Sequence, residues 1–412
     1  MGRQPFQFAA VRSIGWFRLS ENTMQVSSGG NSRARKILTL FGTRPEVIKL
    51  APVIAALSAM PEEFVTVNVS SSQHTDLLRP LIRDFAIRLD HDLNVMKPNQ
   101  TLSSLAAAVL SALDPILVSE QPDLVLVQGD TTTALAGAQA AFHRKIPVGH
   151  VEAGLRSGDP NSPFPEEMNR RLISKLATYH FAATANNRNT LLAEGVSPEG
   201  IFVTGNPVVD ALGEMLERAH PSPAIAQLID STKSFKRILL TTHRRESFGQ
   251  RMADNLKVLK SFIESHPQTA LIFPVHPNPS VSGPARSILG NCDRIHLIPP
   301  LDYEQFVFVM SQSWLIVSDS GGVQEEAPSL GKPLLVLREN TERPEAIEAG
   351  CAQLVGEGEH LADLLEEAIA PGSWIESVAA VANPFGDGHA ARRIAVAIAE
   401  SLGVNMSEPI LS

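Results

Sequence analysis

The chain of 412 residues carries 44 acidic against 35 basic side chains, a formal net charge of −9, and 43% apolar residues. That length suits two or three domains with a core in each, and an acidic balance without long basic runs excludes nucleic acid as the main partner, because a phosphate backbone needs clustered Lys and Arg. Only Cys292 and Cys351 occur, with no CxxC pair, which excludes a disulfide framework and a thiolate zinc site and points to a reducing cytoplasm.

Taken in chain order, residues 1–35 form an N-terminal extension expected to lack fixed structure. They hold Arg3, Arg12, Arg18, Arg33 and Arg35 against the single acid Glu21 and run through Ser27-Ser28-Gly29-Gly30. Such a composition fits either a targeting segment or flexible arm, or an upstream start with the functional chain beginning near Met24. No apolar run along the chain approaches the ~20 residues of a bilayer span, so no membrane insertion is expected.

From residue 36 onward, short aliphatic and β-branched runs alternate with helical patterns, which predicts parallel sheets built from βαβ units. The first series of strands is expected at 37–41, 64–70, 124–128, 147–152, 180–184 and 201–204. The second is expected at 237–242, 270–275, 295–299, 314–318, 333–337 and 352–355. Between them, 207–236 is polar and helical and contains Pro221 and Pro223, as a hinge would. The reading is therefore an α/β protein of two Rossmann-like lobes, 36–206 and 207–380, with a C-terminal helix and tail, 381–412, placed to pack back on the first lobe. Open parallel sheets bind ligands beyond the carboxyl ends of their strands, so two facing lobes predict a ligand cleft between them.

The strand ends carry the candidate chemistry. Ser318-Asp319-Ser320-Gly321-Gly322 closes an apolar run and opens a helix, presenting backbone N–H groups to an anion with no Cβ in the way. In the first lobe, Phe41-Gly42-Thr43-Arg44-Pro45-Glu46 places Arg44 beside Pro45, which suits a first helical turn. The segment Asn340-Thr341-Glu342-Arg343-Pro344-Glu345 repeats that Arg-Pro-Glu arrangement in the second lobe. Three acids follow neighbouring strands or open helices of the first lobe: Asp130 after Gln128-Gly129, Glu152 in Gly149-His150-Val151-Glu152, and Glu166 after Pro165. Each has a plain use as a cap or first-turn acid, but three together ask for cations or catalysis. In the second lobe, Thr242-His243-Arg244-Arg245 ends a strand with a histidine beside two guanidinium groups, suited to a phosphate ester. His276, among prolines, fits a rigid turn equally well and is left unassigned. No GxxxxGK[ST], GxGxxG or HExxH motif occurs. The residues alone describe a two-lobed diphosphate binder with a cluster of acids.

These segments, together with Lys49, Ser162 to Arg170 and Asn383-Pro384-Phe385-Gly386-Asp387-Gly388, closely resemble the non-hydrolysing UDP-N-acetylglucosamine 2-epimerases from residue 36 to about 400. The resemblance implies a glycosyltransferase-B-like fold, a homodimer, no cofactor or metal, and interconversion of UDP-GlcNAc and UDP-ManNAc in the cytoplasm as a precursor of cell-surface polysaccharide. It further implies elimination of UDP to 2-acetamidoglucal and re-addition with C2 protonated on the other face. Asp130, Glu152 and Glu166 would then be the acid/base and charge-stabilising carboxylates, with the acid and base roles left open, and His243 would assist departure of the diphosphate. Arg44, Lys49, Arg245, Ser320, Gly321 and Gly322 would hold phosphates, Arg343 the uridine or its phosphates, and Glu326 the ribose hydroxyls. Gln73-His74 matches an allosteric pair of the family, but Pro98-Asn99 stands where an Arg is expected, and Gln128 and Thr242 also depart from the family pattern. A UDP-sugar transferase of the same architecture and a non-catalytic nucleotide-sugar binder are the alternatives.

Overall fold

A computed structural model of the chain describes residues 33–72, 75–97, 99–242, 249–356 and 360–405. Most of the N-terminal extension, together with Gln73, His74, His243 and Arg245, lies outside the described residues.

The first sheet contains β1 (Arg35–Phe41), β2 (Phe64–Ser70), β3 (His91–Asp92), β4 (Leu124–Gln128), β5 (Val148–Ala153), β6 (Tyr179–Ala182) and β7 (Ile201–Val203), in the order β3-β2-β1-β4-β5-β6-β7. The second contains β8 (Lys236–Thr241), β9 (Thr269–Pro274), β10 (Ile295–Ile298), β11 (Leu315–Ser318), β12 (Leu334–Val336) and β13 (Ala352–Leu354), in the order β10-β9-β8-β11-β12-β13. Every pairing in both sheets is parallel. The two-residue β3 was not expected; it is too short to leave a periodic pattern. β1 also takes in Arg35, assigned above to the extension, because its backbone N–H donates to the Glu63 carbonyl at 2.7 Å.

Both faces of each sheet are covered, which is why the strands read as continuous apolar runs. Along β1, Ile37 and Phe41 pack with Val47 and Leu50 of the helix Arg44–Ser58, while Leu38 and Leu40 pack with Leu105, Val109 and Leu113 of the helix Leu102–Glu120. That second helix corrects the sequence reading: at 19 residues it is long and apolar enough to cross a bilayer by length and composition. Its alanines, interrupted by serines, disguised an apolar stretch; Leu105, Val109, Leu113 and Leu117 form its buried stripe.

The chain passes between the lobes twice at one place. Gly205, at φ +85°, lies so close to the returning segment that a Cβ there would stand 3.4 Å from Gly386 Cα, and the Asn206 N–H donates to the Phe385 carbonyl at 2.7 Å. Asp210 then accepts the Ala390 and Ala391 N–H groups at 3.2 and 2.9 Å, capping the helix Ala390–Ser401, which packs on the helix Arg44–Ser58.

Candidate active site

In each sheet the strand order reverses beside its first strand, at β1/β4 in one lobe and β8/β11 in the other, and crevices open at such points. The helix after β1 opens with Arg44; the loop after β4 carries Asp130. Glu46 ties them together. It accepts the Gly42 and Thr43 N–H groups at 2.8 and 2.7 Å through Oε2, and the Thr131 hydroxyl at 2.6 Å through Oε1. Burial pushes its pKa up, and these donors partly offset that.

Glu152 sits where β5 is irregular against β6, at φ +66°, a left-handed backbone that costs a non-glycine residue of order 1 kcal/mol or more. The kink turns a charged side chain inward from a strand end whose residues are all buried. There Glu152 pairs with Lys49, accepts Gln128 Nε2 at 2.5 Å and Asn206 Nδ2 at 3.1 Å, and lies 3.7 Å from the Arg343 guanidinium. Burial alone would push its pKa up, but Lys49 and then Arg343 outweigh burial and hold it well below the ordinary range.

The second lobe supplies the rest of the cluster. Glu325, in the helix Gly321–Ser329, accepts Arg343 Nε at 2.6 Å and forms an ion pair with Lys49 at 2.8 Å. Arg343 also donates to Glu342 at 2.5 Å, and Glu342 accepts Arg338 at 2.8 Å. Burial opposes the charge on Lys49 and on Arg343, yet the surrounding carboxylates raise both pKa values. For Glu325 burial dominates and the pKa rises. Gly321 has a steric role here: a Cβ would stand 2.9 Å from Arg343 Nη1. At Gly322 the corresponding space is open.

Asp130 lies beside this cluster. Its carboxylate is clamped by both Nε (3.0 Å) and Nη2 of Arg170, which also reaches Glu167 at 3.2 Å; Asn169 holds the Asp130 carbonyl at 2.8 Å. Burial raises the Asp130 pKa and the Arg170 charge opposes it, while Glu152 is close enough to add to the rise. Glu166 opens the helix Glu166–Leu176 and is half-buried. Glu326 accepts the Tyr303 hydroxyl at 3.0 Å, and Arg44 is near enough to both to bias their ionisation. Among the described residues, no hydrogen bond or ion pair engages the half-buried Arg44 side chain. Ser320 precedes the helix Gly321–Ser329, and its N–H is taken by the Ser318 hydroxyl at 3.0 Å.

Thus Lys49, Glu152, Arg343 and Gly321 meet directly, Asp130 adjoins them, and Arg44 approaches Glu326. Sequence reasoning overlooked Glu325, Glu342, Arg170, Asn206 and Tyr303 as partners. For Arg170 a signal existed, since it lies one helical turn beyond Glu166 on a helix that begins with acids. For Glu325 the only hint was its place between Gln324 and Glu326 in a short helix bounded by buried strands.

Facing Rossmann-like sheets, with carboxylates on one lobe meeting cations and a glycine-opened helix on the other, define a two-lobed α/β protein of glycosyltransferase-B-like architecture. A family profile described as UDP-N-acetylglucosamine 2-epimerase matches residues 56–399. The chain is 46% identical over 369 residues to the UDP-N-acetylglucosamine 2-epimerase of Salmonella typhimurium, spanning 88% of this chain and 98% of that protein. It is similar in structure to UDP-GlcNAc 2-epimerase from Neisseria meningitidis bound to UDP-GlcNAc (TM-score 0.83, 42% identity, 89% of this chain and 100% of that one). S. aureus MnaA in a co-structure with UDP is equally similar (TM-score 0.84, 42% identity, 91% and 99%). The chain belongs to the UDP-N-acetylglucosamine 2-epimerase family and is an isomerase.

Proposed function

We propose that this isomerase interconverts UDP-GlcNAc and UDP-ManNAc by eliminating UDP and adding it back. The observation that carries the reading is the meeting of Lys49 and Glu152 from one lobe with Arg343 from the other at facing strand ends. It supplies fixed cations for a diphosphate and a carboxylate for the sugar in one buried place.

The hydrogen on C2 adjoins no carbonyl, so direct abstraction to a stabilised carbanion is not open. Removing that proton while the C1–O bond breaks instead gives a C1=C2 double bond, and the electron pair leaves on the diphosphate. Positioned cations favour the charge that develops on the leaving group. Lys49, Arg343 and Arg44 are suited to this, with Ser320, Gly321 and Gly322 at the helix start, while His243 and Arg245 are assigned to the same phosphates by sequence alone. Glu152, held ionised, is suited to face the oxocarbenium-like sugar. Asp130, whose pKa is raised, is suited to move a proton at C2, with Glu166 serving the other face. Glu326 is assigned to the ribose hydroxyls. Elimination and re-addition are together redox neutral, so the scheme calls for no redox cofactor.

A homodimer is part of the proposal. Leu102 and Val118 on the helix Leu102–Glu120 and Phe142 on the neighbouring helix Thr132–His143 leave apolar side chains exposed that a second copy would cover. The free thiols of Cys292 and Cys351 fit a cytoplasmic setting, where a product UDP-ManNAc would supply surface polysaccharide synthesis.

The test is incubation of the protein with UDP-GlcNAc alone, followed by proton NMR. A steady mixture containing UDP-ManNAc supports the reading. Unchanged substrate that reacts only when an acceptor is added indicates a transferase, and free ManNAc plus UDP as end products indicates a hydrolase. Asp130→Asn is expected to lower turnover by ~10²-fold or more while UDP binding persists.

A further inference from the structure

Glu152 and Glu325 come from opposite lobes, and their carboxylates converge on the same two cations, Lys49 and Arg343. Both are buried and both lean on Lys49. Two buried carboxylates set on one ammonium group cannot comfortably both be ionised; such a pair shares a proton unless cations compensate fully. Here Lys49 and Arg343 supply that compensation. Yet these are the cations that the proposed reaction needs for the departing diphosphate.

We propose that Glu325 is a positioning residue of the isomerase reaction: it holds Lys49 and Arg343 against Glu152 across the lobes, and takes up a proton when a diphosphate claims those two cations. The inference rests on the epimerase reading above. The proton comes from solvent and forms an O–H bond on Glu325, so Glu152 stays ionised while Glu325 becomes neutral. A second carboxylate left charged beside an arriving diphosphate would instead repel it and cancel the stabilisation of the leaving group.

The charged and titratable groups around Glu325 fit this assignment. Lys49 faces it from the helix Arg44–Ser58, Glu152 from β5, and Arg343 from the loop before the helix Pro344–Glu348, with Glu342 and Arg338 behind. Tyr303 and the adjacent Glu326 complete the surroundings, and Tyr303 stays neutral because burial and these acids raise its pKa. Glu152 is bound by Gln128 Nε2 and Asn206 Nδ2, which satisfy a carboxylate. Among the described residues no amide side chain donates to Glu325, whose carboxylate is held by Arg343 and Lys49. Of the pair, it is the one that loses its support when they are claimed. Burial already pushes its pKa upward.

The experiment is calorimetric titration of the full chain with UDP-GlcNAc at pH 8 in buffers of different ionisation enthalpy, which counts protons taken up on binding. The diphosphate diester does not itself titrate in this range. Wild type is expected to take up ~1 proton more per site than Glu325→Gln, and Glu325→Asp is expected to restore the uptake. In kinetics, Glu325→Gln is expected to lower KM several-fold, because Lys49 and Arg343 lose a competitor, and to lower kcat by more than ~10-fold as Glu152 loses its partner. Equal proton uptake in wild type and Glu325→Gln overturns the proposal. Should Glu325→Gln not fold, wild type alone decides: affinity falling towards ~10-fold per pH unit above pH 7.5 supports it, and a flat profile overturns it. Failure of the epimerase reading looks different, since wild type would then neither bind nor convert UDP-GlcNAc.

Discussion

The Glu46 carboxylate bridges two loops of the first lobe, accepting the Thr131 hydroxyl at 2.6 Å while its other oxygen holds the N–H groups before its own helix. The position of Arg44 relative to Asp130 is therefore fixed by one buried side chain. Glu46→Ala would strand two backbone donors and the hydroxyls of Thr43 and Thr131, each bond to a charged acceptor being worth ~1.5–3 kcal/mol. We expect a lower thermal midpoint and a fall in kcat/KM of at least ~10-fold, both read on purified protein. An unchanged kcat/KM would show that the bridge does not set the site.

The buried ion cluster predicts strong coupling between substitutions. Lys49→Met leaves Glu152 and Glu325 facing each other with one cation fewer, and breaking a buried pair from one side costs ~3–5 kcal/mol. Adding Glu325→Gln removes the excess negative charge. The double variant is expected to recover more than half of the stability lost by Lys49→Met, measured by denaturant unfolding; strict additivity would mean that the two groups do not interact in the folded protein.

Gly321 is predicted to matter for shape. In Gly321→Ala the added Cβ would stand 2.9 Å from Arg343 Nη1, the far end of a flexible side chain, so the guanidinium must shift while keeping its pairs with Glu342 and Glu325. KM for UDP-GlcNAc should rise by ~10-fold with little change in thermal midpoint, since a displaced cation weakens ligand contact more than it disturbs the core. Gly322→Ala, where the space is open, is the matched control.

Acid sensitivity follows from two buried histidines. Burial lowers the His150 pKa to about 3 and the His180 pKa to about 4, while in the unfolded chain both titrate near ~6.5. Between these values the unfolded state binds more protons than the folded one, so their contribution is complete above pH ~6.5 and is lost as the pH falls towards 4 and then 3. Unfolding midpoints should drop over that window. His150→Gln should flatten the slope by about one proton, and because His150 Nε2 also donates to the Gly129 carbonyl at 2.7 Å, activity should fall with it.

Much of the fold is legible in the amino-acid sequence. Runs such as Leu124–Gln128 and Leu315–Ser318 are buried on both faces and so lack polar alternation, and glycine or an acid follows each at its carboxyl end. Those ends also gave the strand-end members of the site. What stayed hidden were pairings between residues far apart in sequence: Lys49 with Glu325, Asp130 with Arg170, Arg343 with Glu152. Charge complementarity across a cleft leaves no periodic trace along the chain, and a glutamate inside a helix looks the same whether it meets water or an opposite lobe. The apolar helix Leu102–Glu120 was missed for a related reason, its small residues giving no continuous run of large ones.

The central claim is that one hydrogen, at C2 of the sugar, is exchanged while UDP departs and returns. Incubation of the protein with UDP-GlcNAc alone in D2O, read by NMR and mass spectrometry of the recovered UDP-sugars, tests it most directly. We predict deuterium at C2 in both UDP-GlcNAc and UDP-ManNAc, with none at other ring carbons. UDP-ManNAc formed without deuterium at C2, or no exchange under conditions where UDP-GlcNAc binds, would contradict the account.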